Sequence, residues 1–116
     1  MTIKEIATMI AGFGLPYAYH HFAEEEQRTV QPPYVRWYFN GIDDLYADNI
    51  NFQRISELRI ELYTDYKDFA REALIESELA GNGWAYDKTE TYLDSEQLYV
   101  TSYAGDIIIK EEEQNG

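Results

Sequence analysis

Between Arg54 and Asp68 the chain reads RISELRIELYTDYKD, and its apolar and polar positions alternate: Leu58, Ile60 and Leu62 fall on one side, Glu57, Arg59, Glu61 and Tyr63 on the other. A period of two is that of a strand with one face buried, so the segment predicts a central strand from Ile55 to Thr64. Thr64 and Asp65 are good N-cap residues and the Asp65 to Asp68 spacing approximates a capping box, which predicts a helix from about Tyr66 to about Ala80, ended by Gly81-Asn82-Gly83. Upstream, Ile3, Ile6, Ile10 and Phe13 recur at helical spacing behind a Thr2-x-x-Glu5 capping box, predicting a short amphipathic helix over about residues 3–12. Gly12 and Gly14 offer a left-handed closing residue, and Pro16 forbids continuation. Tyr17 to Phe22 and the aromatic run Tyr34 to Asn40 read as strands, the second followed by an Asn40-Gly41 turn signal. Trp84 to Leu93 and Gln97 to Ile109 read as two more, joined tightly through Asp94, Ser95 and Glu96.

Helix, strands, helix, strands is the order of one α+β domain over residues 1–109: a mainly antiparallel sheet with two α-helices packed on one face. Residues 23–33, AEEEQRTVQPP, predict a mobile acidic loop, and residues 110–116 a flexible acidic tail. The second helix contains a conflict. Projected at 100° per residue, Phe69, Ala73 and Ala80 mark an apolar face with Leu79 at its edge, and Glu72 and Glu76 fall inside that arc. Carboxylates four residues apart repel, and far more so when desolvated. They therefore call for a cation such as Arg36 or Lys88, or for an intersubunit groove; the rival reading is the acid pair of a small hydrolase, although no nucleophile or second catalytic group accompanies them.

Charge and composition narrow the chemistry. Twenty-two Asp and Glu against nine Lys and Arg give a formal net charge of -13, which repels a phosphate backbone or an anionic membrane. The chain has no cysteine, so disulfides, thiolate metal sites and cysteine nucleophiles are excluded. No apolar run approaches the roughly 18 residues of a membrane span, and the start carries an acidic residue where a signal peptide is basic, so a soluble, unprocessed chain is expected. His20 and His21, adjacent in a predicted strand, point to opposite faces and cannot share one metal without a bulge. Asp43, Asp44, Asp48 and Asn49 lack the glycine and terminal glutamate of an EF-hand loop. With no Gly-rich phosphate loop, G-x-S-x-G or H-E-x-x-H, no catalytic residue, cofactor or metal is expected. Eleven tyrosines favour an interaction protein. The candidate partner contacts are Glu24, Glu25 and Glu26 of the loop and Glu72 and Glu76 of the helix.

The succession Leu15-Pro16-Tyr17-Ala18-Tyr19, His21-Phe22-Ala23-Glu24, Pro32-Pro33-Tyr34, Ala47-Asp48-Asn49, Ile60-Glu61-Leu62-Tyr63-Thr64, Lys67-Asp68, Glu90-x-Tyr92, Ser95-Glu96-x-Leu98-Tyr99 and Tyr103 resembles the minor structural proteins encoded in head-tail gene clusters of tailed phages and prophages of Gram-positive bacteria. The resemblance spans residues 1 to about 109 and is carried by dispersed short motifs. It implies a non-enzymatic tail-completion or head-to-tail joining protein, similar in architecture to tail terminators. Such proteins form a ring, usually a hexamer, that caps the tail tube and meets the head connector. The place implied is the virion, and the host cytoplasm during assembly, with DNA passing through the ring unbound and no membrane partner. The alternative is an acidic module that mimics DNA to inhibit a nucleic-acid enzyme. Mimicry needs carboxylates spaced like phosphates along one surface, whereas the runs Glu24 to Glu26 and Glu111 to Glu113 lie in a predicted loop and tail.

Overall fold

The alternating segment is the middle strand of the sheet. A computed structural model describes residues 1–43 and 53–110, so Asp44, Asp48, Asn49 and the predicted tail beyond Lys110 lie outside the described residues. The elements run α1 (Ile3–Ala11), β1 (Tyr17–Tyr19), α2 (Glu24–Gln27), β2 (Tyr34–Asp43), β3 (Gln53–Thr64), α3 (Phe69–Gly81), β4 (Asp87–Leu93) and β5 (Leu98–Lys110). Among the described residues five strands form one sheet in the order β1-β2-β3-β5-β4. All neighbours are antiparallel except the short β1, which runs parallel to β2.

Register explains where the core sits. Leu62 lies between Val35 and Thr101, Ile60 between Trp37 and Tyr103, and Leu58 between Phe39 and Gly105. Because directly opposed residues of a sheet share a face, these rows make one apolar surface, on which Ile6, Met9 and Ile10 of α1 and Ile75 and Leu79 of α3 pack. The molecule is thus α+β, a mainly antiparallel sheet with two helices on one face. The reverse face carries Arg36, Tyr38, Glu57, Arg59 and Glu61.

The capping box of α1 forms as its sequence requires: Glu5 N donates to Thr2 Oγ1 at 3.1 Å and Thr2 N to Glu5 Oε1 at 2.9 Å. Of the two glycines behind it, Gly12 is right-handed at φ −66 and Gly14, at φ 73, makes the left-handed turn. Five local expectations are corrected. α3 starts at Phe69 rather than Tyr66, because Asp68 is its N-cap and accepts Arg71 N at 3.0 Å. Its buried face is Glu72, Ile75 and Leu79, while Phe69 is 72% exposed and Ala73 and Ala80 face outward. β1 stops at Tyr19, and the predicted loop contains a helical turn, α2. Asn40-Gly41 does not turn the chain: β2 continues to Asp43, and its register against β3 slips between Phe39 and Ile42 as a bulge.

Gly105 is needed for a close approach. A Cβ there would collide with the carbonyl oxygen of Ala85, backbone that cannot rotate aside. The segment after α3 is held over β5 by Trp84, whose indole N–H donates to Asp106 O at 3.2 Å. Gly105→Ala is therefore expected to cost about 1–3 kcal/mol, read as a lower urea midpoint; an unchanged midpoint would show that the crossing is looser than this.

Candidate functional site

Glu72 and Glu76 are one helical turn apart and both face the sheet between α3 and β4. The i, i+3, i+4, i+7 stripe of Glu72, Ile75, Glu76 and Leu79 decides this: docking the two apolar members on the sheet carries both carboxylates with them. β4 answers with a cation. Lys88 pairs with Tyr103 across the ladder, so its stem rises on the helix-covered face and places Nζ 2.9 Å from Glu72 Oε1 and 2.8 Å from Glu76 Oε2. Lys67, in the link before α3, reaches Glu72 Oε2 at 2.6 Å and also pairs with Glu90. Tyr103 Oη donates to Glu76 Oε2 at 2.9 Å.

Glu72 is only 2% exposed, and burial alone would raise its pKa; the hydrogen bonds and charges of Lys67 and Lys88 outweigh that and hold it below its ordinary value. Lys88 is raised by Glu76 and Glu72. For Lys67, burial pulls downward but Glu72 and Glu90 prevail, so it too is raised. Burial and then Glu76 push the Tyr103 phenol up. Every one of these shifts moves the titration further from pH 7, so Glu72, Lys67 and Lys88 stay charged and the Tyr103 hydroxyl stays protonated rather than exchanging protons near pH 7. Of the two cations the sequence offered, Lys88 is the partner; Arg36 lies on the opposite face and binds Glu61 at 3.1 Å and the Tyr63 hydroxyl. Lys67 and Tyr103 were not singled out from the sequence as partners of this carboxylate pair. A Lys just before an acidic helix start was the available signal for the first.

The second grouping is a recess of about 340 Å³ at one end of the reverse face, lined by His21, Phe22, Gln27, Val30, Tyr34, Arg36, Tyr63, Leu93 and Glu96. Its floor is aromatic: Tyr34 stacks on Tyr63 with ring centres 4.8 Å apart, and Phe22 meets Tyr34 edge-on at 5.4 Å. Tyr63 Oη donates to Glu61 Oε1 at 3.0 Å, and burial, then the Glu61 charge, raise its pKa. Glu24, Glu25 and Glu26 sit beside this recess in sequence, all exposed on α2, with Gln27 anchoring the turn through Nε2 to Phe22 O at 2.8 Å. Glu24 is 3.9 Å from Arg28, an exposed pair worth about 0.5 kcal/mol at most.

No protein-family model matches the chain, and no curated protein matches it. Residues far apart in the sequence meet in the recess: His21 and Phe22, Tyr34, Tyr63 and Glu96 all line it.

The histidines depart from expectation. They lie beyond β1, and His20 has φ 67. His21 N donates to Tyr19 O at 2.7 Å, closing a three-residue γ-turn around His20. Both rings then fall on the same side, with their Nδ1 atoms 3.0 Å apart. Among the described residues no group of three or more His, Cys, Asp and Glu side chains is placed to hold a metal ion. Among them, too, no helix is long and apolar enough to cross a membrane.

Proposed function

We propose that this chain is a virion assembly subunit of a tailed phage or prophage, a tail-completion or tail-terminator ring protein at the head-tail junction that works by contact and not by turnover. The observation that carries this reading is the recess: residues from four separated motifs of the resemblance line it, and in sequence the three consecutive exposed carboxylates of α2 closely follow its His21 and Phe22. An aromatic floor with a carboxylate in its lining, Glu96, suits a partner segment that presents an apolar side chain flanked by Lys or Arg. Glu72 and Glu76, engaged inside the fold, position α3 and leave the contact role to Glu24, Glu25 and Glu26. The partners on this reading are further copies of the chain, the tail-tube protein and the head connector, with the genome passing through unbound. Six copies would carry 6 × -13 = -78 formal charges, and those nearest the channel would keep a duplex centred by repulsion.

Replacing Glu24, Glu25 and Glu26 together with Ser is expected to leave the melting temperature nearly unchanged, since none is buried, and to abolish capping of tail tubes seen by negative-stain microscopy. The unsubstituted protein is expected to form rings, free or on tubes, and to show no duplex binding at physiological salt. Full capping by the triple variant would remove the contact assignment. Tight, salt-sensitive DNA binding by a monomer that never meets tubes would overturn the assembly reading itself.

A further inference from the structure

We propose that His20 and His21 form a two-imidazole chelate for a divalent transition-metal ion of square-planar or tetragonal preference, copper(II) or nickel(II). Neighbouring residues of a strand point apart, and the γ-turn at His20 removes that obstacle. His20 N donates to Trp37 O at 2.8 Å, which fixes the residue to β2, and His21 N donates back to Tyr19 O at 2.7 Å. Between these two bonds His20 is held at φ 67, a conformation that L-residues other than Gly adopt uncommonly and at some cost. The result is two imidazoles at 89° to one another with ring centres 5.2 Å apart.

The spacing is within reach of a chelate. With metal–nitrogen bonds of about 2.05 Å, an Nδ1···Nδ1 separation of 3.0 Å subtends about 94° at the ion, close to the cis angle of a square plane. Among divalent ions that imidazole binds, the general affinity order places copper(II) above nickel(II) and zinc. Without metal, one Nδ1–H donates to the other Nδ1. On loading, the donor ring takes its Nε2–H tautomer, both Nδ1 lone pairs go to the ion, and no net proton leaves. Both side chains are exposed, so water can complete the coordination, and the chain's charge of -13 concentrates divalent cations around it. The inference does not rest on the assembly reading.

The test is titration of copper(II) into the full chain, followed by calorimetry and by electron paramagnetic resonance. One site with two equatorial imidazole nitrogens is expected. His20→Asn, which keeps a side chain tolerant of positive φ, and His21→Ala should each weaken binding about 100-fold, because either change turns a chelate into a single ligand. Both variants should melt with the parent, since neither side chain is in the core. The proposal is overturned if the double variant binds copper as tightly as the parent, which would place the ion on surface carboxylates. It is equally overturned if only one of the two single variants loses affinity, or if the spectrum shows fewer than two imidazole nitrogens.

Discussion

Truncating Tyr103 to alanine is expected to lower stability by about 3–5 kcal/mol, the range for large aromatic side chains removed from a core. Tyr103 is fully buried, lies between Ile60 and Lys88 in the sheet, and meets the edge of Tyr86 at 5.2 Å. Its loss leaves a cavity under α3 and takes the hydroxyl from Glu76. Tyr103→Phe separates the two effects: it keeps the ring, and because Lys88 still binds Glu76 it should cost only about 1.5 kcal/mol. Phe69→Ala is the control that decides which face of α3 is buried. Phe69 is 72% exposed, so its truncation should change stability by no more than about 0.5 kcal/mol. Urea denaturation of the three variants checks the order. A large loss from Phe69→Ala with a small one from Tyr103→Ala would mean that α3 docks through the face its helical projection suggests.

Glu72→Ala is expected to cost about 3 kcal/mol, the low end for breaking a buried ion pair, because the Lys67 and Lys88 side chains left behind keep 23% and 38% of their exposure. The pH dependence carries a sign. Glu72 titrates lower in the folded protein than its ordinary 4.5, so it adds stability that is present above about pH 4.5 and is lost as pH falls through the folded value. Lys67 and Lys88 titrate higher than their ordinary 10.5, so their contribution is complete below that and is lost as pH climbs through the raised values. Between those limits the network should contribute a flat plateau. Glu72→Gln should remove part of the acid-side slope and, because Glu72 helps raise both lysines, part of the alkaline-side slope as well, measured as urea midpoints across pH. Parallel acid slopes in parent and variant would show that Glu72 is not held ionised by its lysines.

The candidate site was partly legible in the sequence. Two carboxylates on one arc of α3 required a cation, and Lys88 was one of the two named for it. Arg36 could not be excluded from sequence, because the face a strand residue occupies is settled only by its register: Arg36 opposes Glu61 on the reverse face, while Lys88 opposes Tyr103 on the helix face. The helical projection of α3 misjudged its apolar side. Phe69, Ala73 and Ala80 outnumber Ile75 and Leu79 as apolar positions, yet a helix packs by the residues that fit the sheet beneath it. Lys67 and Lys88 make that fit tolerable by neutralising Glu72.

What the sequence determined by itself is what contacts within about four residues decide. The alternation of β3, the capping box of α1, the stops at Gly14 and Gly83, and hence the α+β class, all follow from local spacing. What only the tertiary structure decided depends on partners far along the chain. Glu76 meets Lys88 and Tyr103 at separations of 12 and 27 residues, through strand register. The γ-turn that brings His20 and His21 together exists because Trp37 O holds His20 N at the end of β1, a bond between strands. Asn40-Gly41 becomes a bulge for the same reason: β3 continues past it, and pairing along a long neighbour outweighs a two-residue preference for turning.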